Sequence, residues 1–238
     1  FGAMRIGHGW KLNIMQSMVS SVITADGQQQ SGYVYIGENG EETYFKKSDK
    51  QTKDSEHNCC YNLYEDVDDG NMFYDPYKRA LEIGDELYHF DTRGRLVSIK
   101  DAKNNQMNII YTSGRITSVT DGVGRAFTFT YDNGYMTKIT APGGASIEYA
   151  YSNNKLTTVI YPDGEKTIIT YNNNVPSSVA LYDANENAVY KVVYTFVDGR
   201  MCRVTEYGVE GMQEILGASS HYKYSAAARR TVVETTEP

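Results

Sequence analysis

Histidine and cysteine are the residue types in this 238-residue chain that most often bind metals or act as catalysts. The run from His57 to Cys60 places an imidazole beside the thiols of Cys59 and Cys60. A zinc site needs about four ligands, and only Cys202 could add a further thiol. The other histidines are far apart in the sequence and form no spaced pair: His8, His89 and His221. We therefore expect no metal site here.

Carboxylates cluster in the acidic run from Glu65 to Asn71. Asp66, Asp68 and Asp69 are weak candidate calcium ligands, because calcium prefers hard oxygen donors. The run does not keep the spacing of an EF-hand loop, since Tyr77 stands where that loop carries its glutamate. We expect a solvated acidic turn, with a weak extracellular calcium site as the alternative.

Catalytic motifs are missing from the sequence. Glycoside hydrolysis needs two carboxylates about 5–9.5 Å apart, and nothing pairs Glu41, Glu42 or Glu148. The chain has no Gly-x-Ser-x-Gly, P-loop or Gly-x-Gly-x-x-Gly motif. We expect a protein that is not an enzyme and binds no cofactor. A hydrolase is the least favoured functional hypothesis for this chain.

Composition excludes several classes of partner. Lys and Arg total 23 and Asp and Glu total 30, which gives a net charge of −7. This charge argues against nucleic acid and against an anionic membrane surface, and no apolar run approaches the ~20 residues of a membrane span. The chain has 21 Tyr, 21 Gly and only 5 Pro, a composition that favours β structure. Three cysteines do not form a disulfide framework.

A 20-residue repeat organises the second half of the chain. Residues that tolerate a left-handed backbone recur at this interval: Gly94, Gly114, Gly134, Asn154 and Asn174. An aromatic residue precedes each of them: Phe90, Tyr111, Tyr131, Tyr151 and Tyr171. An apolar residue follows the first four: Leu96, Ile116, Met136 and Leu156. A further copy contains Gly199 and Arg200 and comes 25 residues after Asn174, which we attribute to a longer loop at 183–187.

Each unit of this repeat is predicted to be a pair of strands. Residues 126–131 alternate apolar and polar side chains, which is typical of a half-buried strand. Asn133-Gly134 then favours a type I′ hairpin turn. The strand at 115–121 does not alternate cleanly, so we expect a bulge or burial on both faces. The tyrosines fall on the apolar face, which favours a structural role; a sugar-binding or protein-binding surface is the alternative.

The segment from Phe90 to Leu96, with sequence FDTRGRL, resembles the signature of the YD-repeat, or Rhs-repeat, family. The next copy keeps Tyr131, Asp132 and Gly134 but has Tyr135 in place of the arginine, and later copies have Asn in place of Gly. The resemblance covers about residues 87–205. The residues that we assign to the repeat are Phe90, Asp91, Gly94, Arg95, Leu96, Tyr111, Gly114, Arg115, Ile116, Tyr131, Asp132, Gly134, Tyr151, Asn154, Leu156, Tyr171, Asn174, Gly199 and Arg200.

The leading segment, with Gly7-His8-Gly9-Trp10, is similar to the stretch that precedes the repeats in large bacterial wall-associated Rhs proteins. The resemblance implies a secreted or cell-surface polypeptide in which successive hairpins form a continuous antiparallel sheet, curved or coiling into a shell. In toxin-delivering members this shell encloses a C-terminal toxic domain, and some members have been thought to bind carbohydrate. No Asp-Pro-rich segment is present, so shell closure and self-cleavage do not carry over.

These observations predict an all-β chain with three parts: an N-terminal β-rich segment (1–85), a hairpin array (86–210) and a C-terminal tail (211–238). We expect the polar run 46–58 to be a mobile exposed loop, and the tail to form a short helix or a last strand. The chain is expected to be an excised piece of a longer protein, with exposed strand edges or a homodimer at 211–238.

The favoured function is a non-catalytic structural module. Its partners would be further repeats and a C-terminal toxic domain of the same polypeptide. The alternative is a module that binds a cell-surface glycan or a protein through exposed tyrosines and the loops 46–58 and 183–187.

Overall fold

The structure is a computed structural model that describes residues 11–54, 59–211, 213–225 and 230–237. Within these ranges the chain is all-β, without helices, and its twenty strands are assigned to one antiparallel sheet. The all-β antiparallel fold expected from the sequence is therefore confirmed. Contacts between residues divide the chain into two compact units: an N-terminal unit, Trp10–Thr128, and a C-terminal unit that includes Phe129–Pro238.

The N-terminal unit contains ten complete strands, each of which pairs with the next along the chain. An eleventh strand begins in this unit. The strands are β1 (Ser17–Ala25), β2 (Gln28–Ile36), β3 (Glu42–Asp54), β4 (Cys59–Asp66), β5 (Phe73–Asp75), β6 (Ala80–Ile83), β7 (Glu86–Phe90), β8 (Leu96–Lys100), β9 (Gln106–Thr112), β10 (Arg115–Thr120) and β11 (Ala126–Asp132).

The core of the N-terminal unit is largely aromatic. Phe45 and Leu81 are completely buried, and Phe90 packs edge-on against Tyr35 and Tyr74, with ring centroids 6.3 and 6.4 Å apart. Edge-to-face pairs at these distances add to the free energy gained by burying the rings. Phe90 therefore belongs to this core as well as to the repeat pattern.

The start of β1 lies beside the loop that joins β7 to β8. The amide of Met18 donates to the carbonyl of Gly94 at 2.8 Å, and the amide of Leu96 donates to the carbonyl of Gln16 at 3.1 Å. Gly94 has φ +73°, and a Cβ atom there would lie 2.0 Å from the carbonyl oxygen of Met18. Only glycine fits this position, because both the backbone conformation and the close approach exclude a side chain.

The prediction of a loop over 46–58 is wrong for the residues that the structure describes. β3 continues to Asp54 and pairs with β4 across an irregularity between Lys47 and Gln51. Within the irregularity, the buried Ser48 hydroxyl donates to Glu65 at 2.6 Å. Polar composition misled the prediction because exposed strands also carry polar side chains. Residues 55–58 lie outside the described residues.

The C-terminal unit begins within β11 and contains nine further strands. They are β12 (Tyr135–Thr140), β13 (Ser146–Ser152), β14 (Lys155–Ile160), β15 (Lys166–Asn172), β16 (Val175–Tyr182), β17 (Ala188–Val197), β18 (Arg200–Glu210), β19 (Gln213–Ser225) and β20 (Arg230–Thr236). Successive strands from β12 to β20 pair antiparallel. The predicted tail is therefore the strand pair β19–β20.

The 25-residue spacing before Gly199 comes from longer strands. Residues 183–187 form a turn of the same length as 161–165, with the same hydrogen bonds between their ends. β16 has two more residues than β14, and β17 has three more than β15, which accounts for the five added residues. The longer loop predicted at 183–187 is therefore wrong.

Candidate functional site

The first recurring element is a two-residue turn within each repeat hairpin. Ser113 and Gly114 have φ values of 50° and 81°, and Asn133 and Gly134 have φ values of 47° and 87°. Positive φ at both central residues is the geometry of a type I′ turn, which matches the twist of antiparallel strands. Asn153-Asn154 and Asp198-Gly199 also have two positive φ values, whereas in the Asn173-Asn174 turn the positive φ of 56° belongs to Asn173.

The second element is a five-residue turn that begins with aspartate. In the turn 121–125, the Asp121 side chain accepts hydrogen bonds from the amides of Val123 and Arg125 and from the Arg125 side chain. Asp101 and Asp183 accept the corresponding amide hydrogen bonds in their turns. Such side-chain bonds replace the backbone pairing that a turn cannot supply.

The loop at 91–95 has this second geometry. Asp91 accepts from the amides of Arg93 and Arg95, and its carboxylate lies 2.6 Å from the Arg95 guanidinium. Burial alone would raise the pKa of Asp91, but the hydrogen bonds from Arg95 and Arg93 outweigh it and hold the pKa below its usual value. Gly94 therefore keeps the 20-residue spacing but differs in turn type from Gly114 and Gly134.

The third element is a bulge after each two-residue turn, one of the two outcomes expected from the sequence. Tyr151 is opposite Leu156 and Ala150 is opposite Thr158, which leaves Thr157 unpaired. The Thr157 hydroxyl donates to the carbonyl of Ala150 at 3.3 Å. Two other bulge residues, Thr117 and Cys202, make the same bond to the carbonyl seven residues earlier. Thr137 also donates to the carbonyl seven residues earlier, that of Thr130. The 20-residue spacing of the threonines is visible in the sequence but was not used in the prediction.

A tyrosine connects each of three hairpins in the array to the hairpin before it. The pairing between β12 and β13 has only three residue pairs, the last being Lys138 with Glu148. Beyond that point, Tyr151 donates its hydroxyl hydrogen to the carbonyl of Met136 at 2.6 Å. Tyr111 and Leu96 make the same contact at 2.9 Å, as do Tyr171 and Leu156 at 2.8 Å. We call this contact the tyrosine link. In it the tyrosine hydroxyl donates to a carbonyl that lies beyond the end of the backbone pairing.

After three of the turns, the next side chain packs on the ring of the linked tyrosine. Arg95 lies over the Tyr111 ring at 4.1 Å, and Lys155 lies over the Tyr171 ring at 5.2 Å. Cations at these distances are attracted to the face of an aromatic ring. Tyr135, which replaces the arginine, packs on Tyr151 with ring centroids 4.8 Å apart. Tyr135 therefore takes the place of the cation with a ring-to-ring contact.

The same pair of contacts recurs in the C-terminal tail. The Tyr224 hydroxyl donates to the carbonyl of Met201 at 2.7 Å, and Arg200 lies over the Tyr224 ring at 5.7 Å. Tyr224 follows Met201 by 23 residues, whereas the other links span 15. β19 therefore carries a tyrosine link although the sequence period is lost there.

Burial of the repeat residues supports a structural role. Leu96, Ile116, Met136 and Leu156 are at most 3% exposed. The repeat tyrosines are half-buried, and burial raises the pKa of Tyr151 above its ordinary value. Asp132 accepts a hydrogen bond from the Asn133 side chain at 3.1 Å, and Arg115 is the half-buried first residue of β10.

The candidate calcium residues do not converge. Asp66 is buried, and its two carboxylate oxygens accept hydrogen bonds from the amides of Asp69, Gly70 and Met72. Burial alone would raise the pKa of Asp66, but these hydrogen bonds outweigh burial and hold the pKa below its usual value. In the ranges described above, no three His, Cys, Asp or Glu side chains are grouped to hold a metal ion. Asp66 therefore orders the turn that follows β4.

The cysteines and histidines are also dispersed. Cys60 is exposed and Cys202 is half-buried, and both are free thiols. His57 and the Cys59 side chain lie outside the described residues. Burial and the nearby Lys100 lower the pKa of His89, which is half-buried.

In the described part of the chain, no helix has the length and apolar character needed to cross a membrane.

The solved structures to which this chain shows similarity include crystal structures of TcdB2-TccC3 proteins. TcdB2-TccC3-TEV is 8% identical with a TM-score of 0.44, over 94% of this chain and 14% of that chain. TcdB2-TccC3 is 12% identical with a TM-score of 0.37, over 92% of this chain and 16% of that chain. This chain thus spans about a sixth or less of these relatives. A search of curated proteins gives no match.

A comparison with protein families matches residues 111–146 to the RHS Repeat family. This range begins at Tyr111 and contains the two-residue turns at Gly114 and Gly134, the bulge at Thr117 and the turn 121–125. The matched range thus includes examples of all three recurring elements. Residues 111–146 are therefore a repeat of the Rhs, or YD, family, the family that the sequence resembles.

Proposed function

We propose that this chain is a non-catalytic structural module of a secreted or cell-surface Rhs-repeat protein, in which it forms part of a β-shell or surface scaffold. The observation that carries the proposal is the tyrosine link. Tyr111, Tyr151 and Tyr171 each use the hydroxyl group to bind the preceding hairpin. The side chains that recur along the array thus connect one hairpin to the next.

The other recurring side chains have the same kind of partner. Asp91 and Asp121 bind backbone amides and an arginine within their own turns. Thr137 and Thr157 bind the strand opposite. A hairpin cannot bury its apolar face alone, so a repeat array is stabilised by contacts between neighbouring units. The contacts of the aspartates and threonines hold each turn and hairpin in shape, and the tyrosine links supply the contacts between neighbouring units.

The proposed partners are further repeats of the same polypeptide and a C-terminal toxic domain that a shell would enclose. Among the described residues β20 pairs with β19, so its other edge offers a place for another strand. Val232 and Val233 on β20 are 37% and 52% exposed. Natural edge strands are usually protected by charges or proline. A homodimer of this chain through the same edge is the competing possibility.

The assignment of 86–210 as the hairpin array is also a proposal. The tyrosine link at Tyr224 favours extending the array to β19.

The alternative function, a glycan- or protein-binding module, would need tyrosine rings with unoccupied polar ends. The repeat tyrosines are poorly suited to it, because three of their hydroxyl groups already donate to backbone carbonyls. The exposed tyrosines include Tyr44, Tyr77 and Tyr190. Of the predicted binding loops, 46–54 is strand and 183–187 is a tight turn.

Limited proteolysis tests the scaffold proposal. The chain has 23 Lys and Arg residues at which trypsin could cleave. If the tyrosine links hold the hairpins together, the Tyr151→Phe, Tyr171→Phe double variant is cleaved faster than the wild type at Lys155 and Lys166. Equal cleavage rates at these sites would contradict the proposal.

Fractionation of producing cells tests the proposed location of the protein outside the cell or on its surface. A wholly cytosolic protein would contradict that location.

A further inference from the structure

Tyr61 and Tyr77 form a stacked pair on the surface of the N-terminal unit. Their ring centroids lie 4.5 Å apart and their planes are 6° from parallel. Tyr77 is 40% exposed and Tyr61 is half-buried, so reagents dissolved in water reach the pair. Tyr61 belongs to β4, whereas Tyr77 lies in the turn between β5 and β6. The stack therefore joins two elements that are separate along the chain.

This geometry differs from that of the other tyrosine pairs among the described residues. Tyr33 meets its two tyrosine neighbours edge-on, at interplanar angles of 87° and 60°. Tyr135 and Tyr151 are tilted by 41°, and the Tyr151 hydroxyl is held by a backbone carbonyl. Parallel rings place several carbons of one ring opposite carbons of the other, whereas edge-on rings do not. The stacked pair combines this arrangement with exposure to solvent.

Hydrogen bonds hold the turn that carries Tyr77 in place. Asp75 is 8% exposed, and its carboxylate accepts from the amides of Tyr77 and Lys78, both at 3.0 Å. The Lys78 ammonium donates to the Thr52 hydroxyl on β3 at 3.2 Å. Thr52 is the residue paired with Tyr61, so the turn is fastened next to both members of the stack. Groups held in contact react much faster than groups that must meet by diffusion.

From this geometry we infer that Tyr61 and Tyr77 are a site of oxidative cross-linking, which joins them as dityrosine. The co-reactant is hydrogen peroxide, used by a haem peroxidase. Each phenol loses one electron and its hydroxyl proton, and an ortho carbon of one ring then bonds to an ortho carbon of the other. The hydrogen on each bonded carbon moves to the phenol oxygen of its own ring. The net reaction removes two hydrogen atoms from the protein and reduces one peroxide molecule to two water molecules.

The cross-link fastens a part of the sheet that backbone pairing does not reach. Among the described residues, β4 pairs with β5 at Tyr64 and Glu65 only, whereas it pairs with β3 back to Cys59. The β3–β4 hairpin thus extends beyond its pairing with β5, and the stack lies in this extension. A covalent bond between the two tyrosines closes a loop, and closing a loop reduces the entropy of the unfolded chain.

Peroxidase-catalysed oxidation of the full chain tests this site. The thiols of Cys60 and Cys202 are free, so they are alkylated first to keep them from consuming the oxidant. Hydrogen peroxide and a haem peroxidase are then added to a dilute solution, in which chains seldom meet. We expect the fluorescence of dityrosine in the monomer. Digestion at glutamate cuts at Glu65, between the two tyrosines, and mass spectrometry should show two joined peptides lighter by two hydrogen atoms.

Single substitutions identify the residues that react. Tyr61→Phe and Tyr77→Phe keep the stacked rings but remove a phenol, so each should lower the dityrosine signal of the monomer by about tenfold or more, because the partner held in contact is lost. Tyr44→Phe is the matched control, since Tyr44 is 42% exposed and its hydroxyl bonds to Glu42. It should leave the signal unchanged. Circular dichroism checks that all three variants are folded.

The absence of dityrosine from the oxidised monomer would overturn the inference. So would a signal that survives either phenylalanine variant of the pair, an equal loss in Tyr44→Phe, or a cross-link found only in dimers. The tyrosine links of the repeat take no part in this reaction, so these results leave the scaffold proposal to its own test by proteolysis.

Discussion

The Tyr151 hydroxyl donates to the backbone carbonyl of Met136 at 2.6 Å, across two different hairpins. Met136 is 1% exposed and lies two residues before the last backbone pair between β12 and β13. The tyrosine thus supplies a hydrogen-bond donor to a buried position that the neighbouring strand does not reach. An unpaired buried carbonyl would cost free energy, so this contact ties the apolar core of one hairpin to the strand of the next.

Tyr151→Phe tests the tyrosine link. The change removes one hydroxyl group and keeps the ring, so we expect the free energy of unfolding to fall by about 1 kcal/mol, the usual worth of one hydrogen bond. Urea unfolding followed by circular dichroism measures it. Tyr44→Phe is the control, because the Tyr44 hydroxyl bonds only to the exposed Glu42 side chain, and little change is expected. Equal effects of the two variants would contradict the assigned role.

Tyr135 tests the stacking position. Tyr135→Ala removes the ring that packs on Tyr151 and should lower the free energy of unfolding by about 0.5–1.5 kcal/mol beyond the loss of buried area. Tyr135→Arg should retain most of the stability, because Arg95 makes the equivalent contact with Tyr111. Thermal unfolding ranks the three proteins. An arginine variant no more stable than the alanine variant would show that the two contacts are not equivalent.

Gly94 and Gly124 form a matched pair for the close approach of β1. Both have positive φ, at 73° and 83°, but a Cβ atom at Gly124 would meet nothing within 4 Å. Gly124→Ala should therefore cost only the backbone strain, about 1 kcal/mol. Gly94→Ala should cost clearly more, since its Cβ atom would collide with the Met18 carbonyl. Chemical denaturation of both variants measures the difference, and equal losses would rule out a contribution from the collision.

Asp91 makes stability depend on pH at the acidic end. Its folded pKa lies below the unfolded value of about 3.9. The stability it contributes is therefore fully present above pH 5 and is lost as the pH falls through the folded pKa. Asp91→Asn should destabilise the protein most at neutral pH, and the gap to the wild type should narrow below pH 4. A gap that stays constant between pH 7 and pH 3 would contradict this assignment.

The hairpins could be predicted from the sequence because their signals are local. Alternation around Phe129 and the Asn133-Gly134 pair define strands and a turn within about ten residues. The uneven spacing after Gly114 predicted a bulge or burial on both faces, and the structure shows the bulge, at Thr117. In each case the information lies in residues that are neighbours in both sequence and space.

The contacts made by the repeat residues depend on how the strands pair in three dimensions, which the amino-acid composition does not specify. The carbonyl partner of Tyr151 follows from where the pairing of two hairpins ends, which depends on strand twist and length. Gly94 keeps the 20-residue spacing but lies in a five-residue turn like that of 121–125, which the spacing alone does not distinguish from a two-residue turn. The strand at 46–54 was missed because an exposed polar strand resembles a loop in hydropathy alone.

The link between Tyr224 and Met201 spans eight more residues than its counterparts, yet it has the same donor, the same acceptor and the same cation over the ring. Connection between units is thus independent of their period. Insertions that lengthen both strands of a pair can accumulate without uncoupling neighbours. In this chain, therefore, units of unequal size remain joined by the same contact, and regular spacing in the sequence does not reveal the last of them.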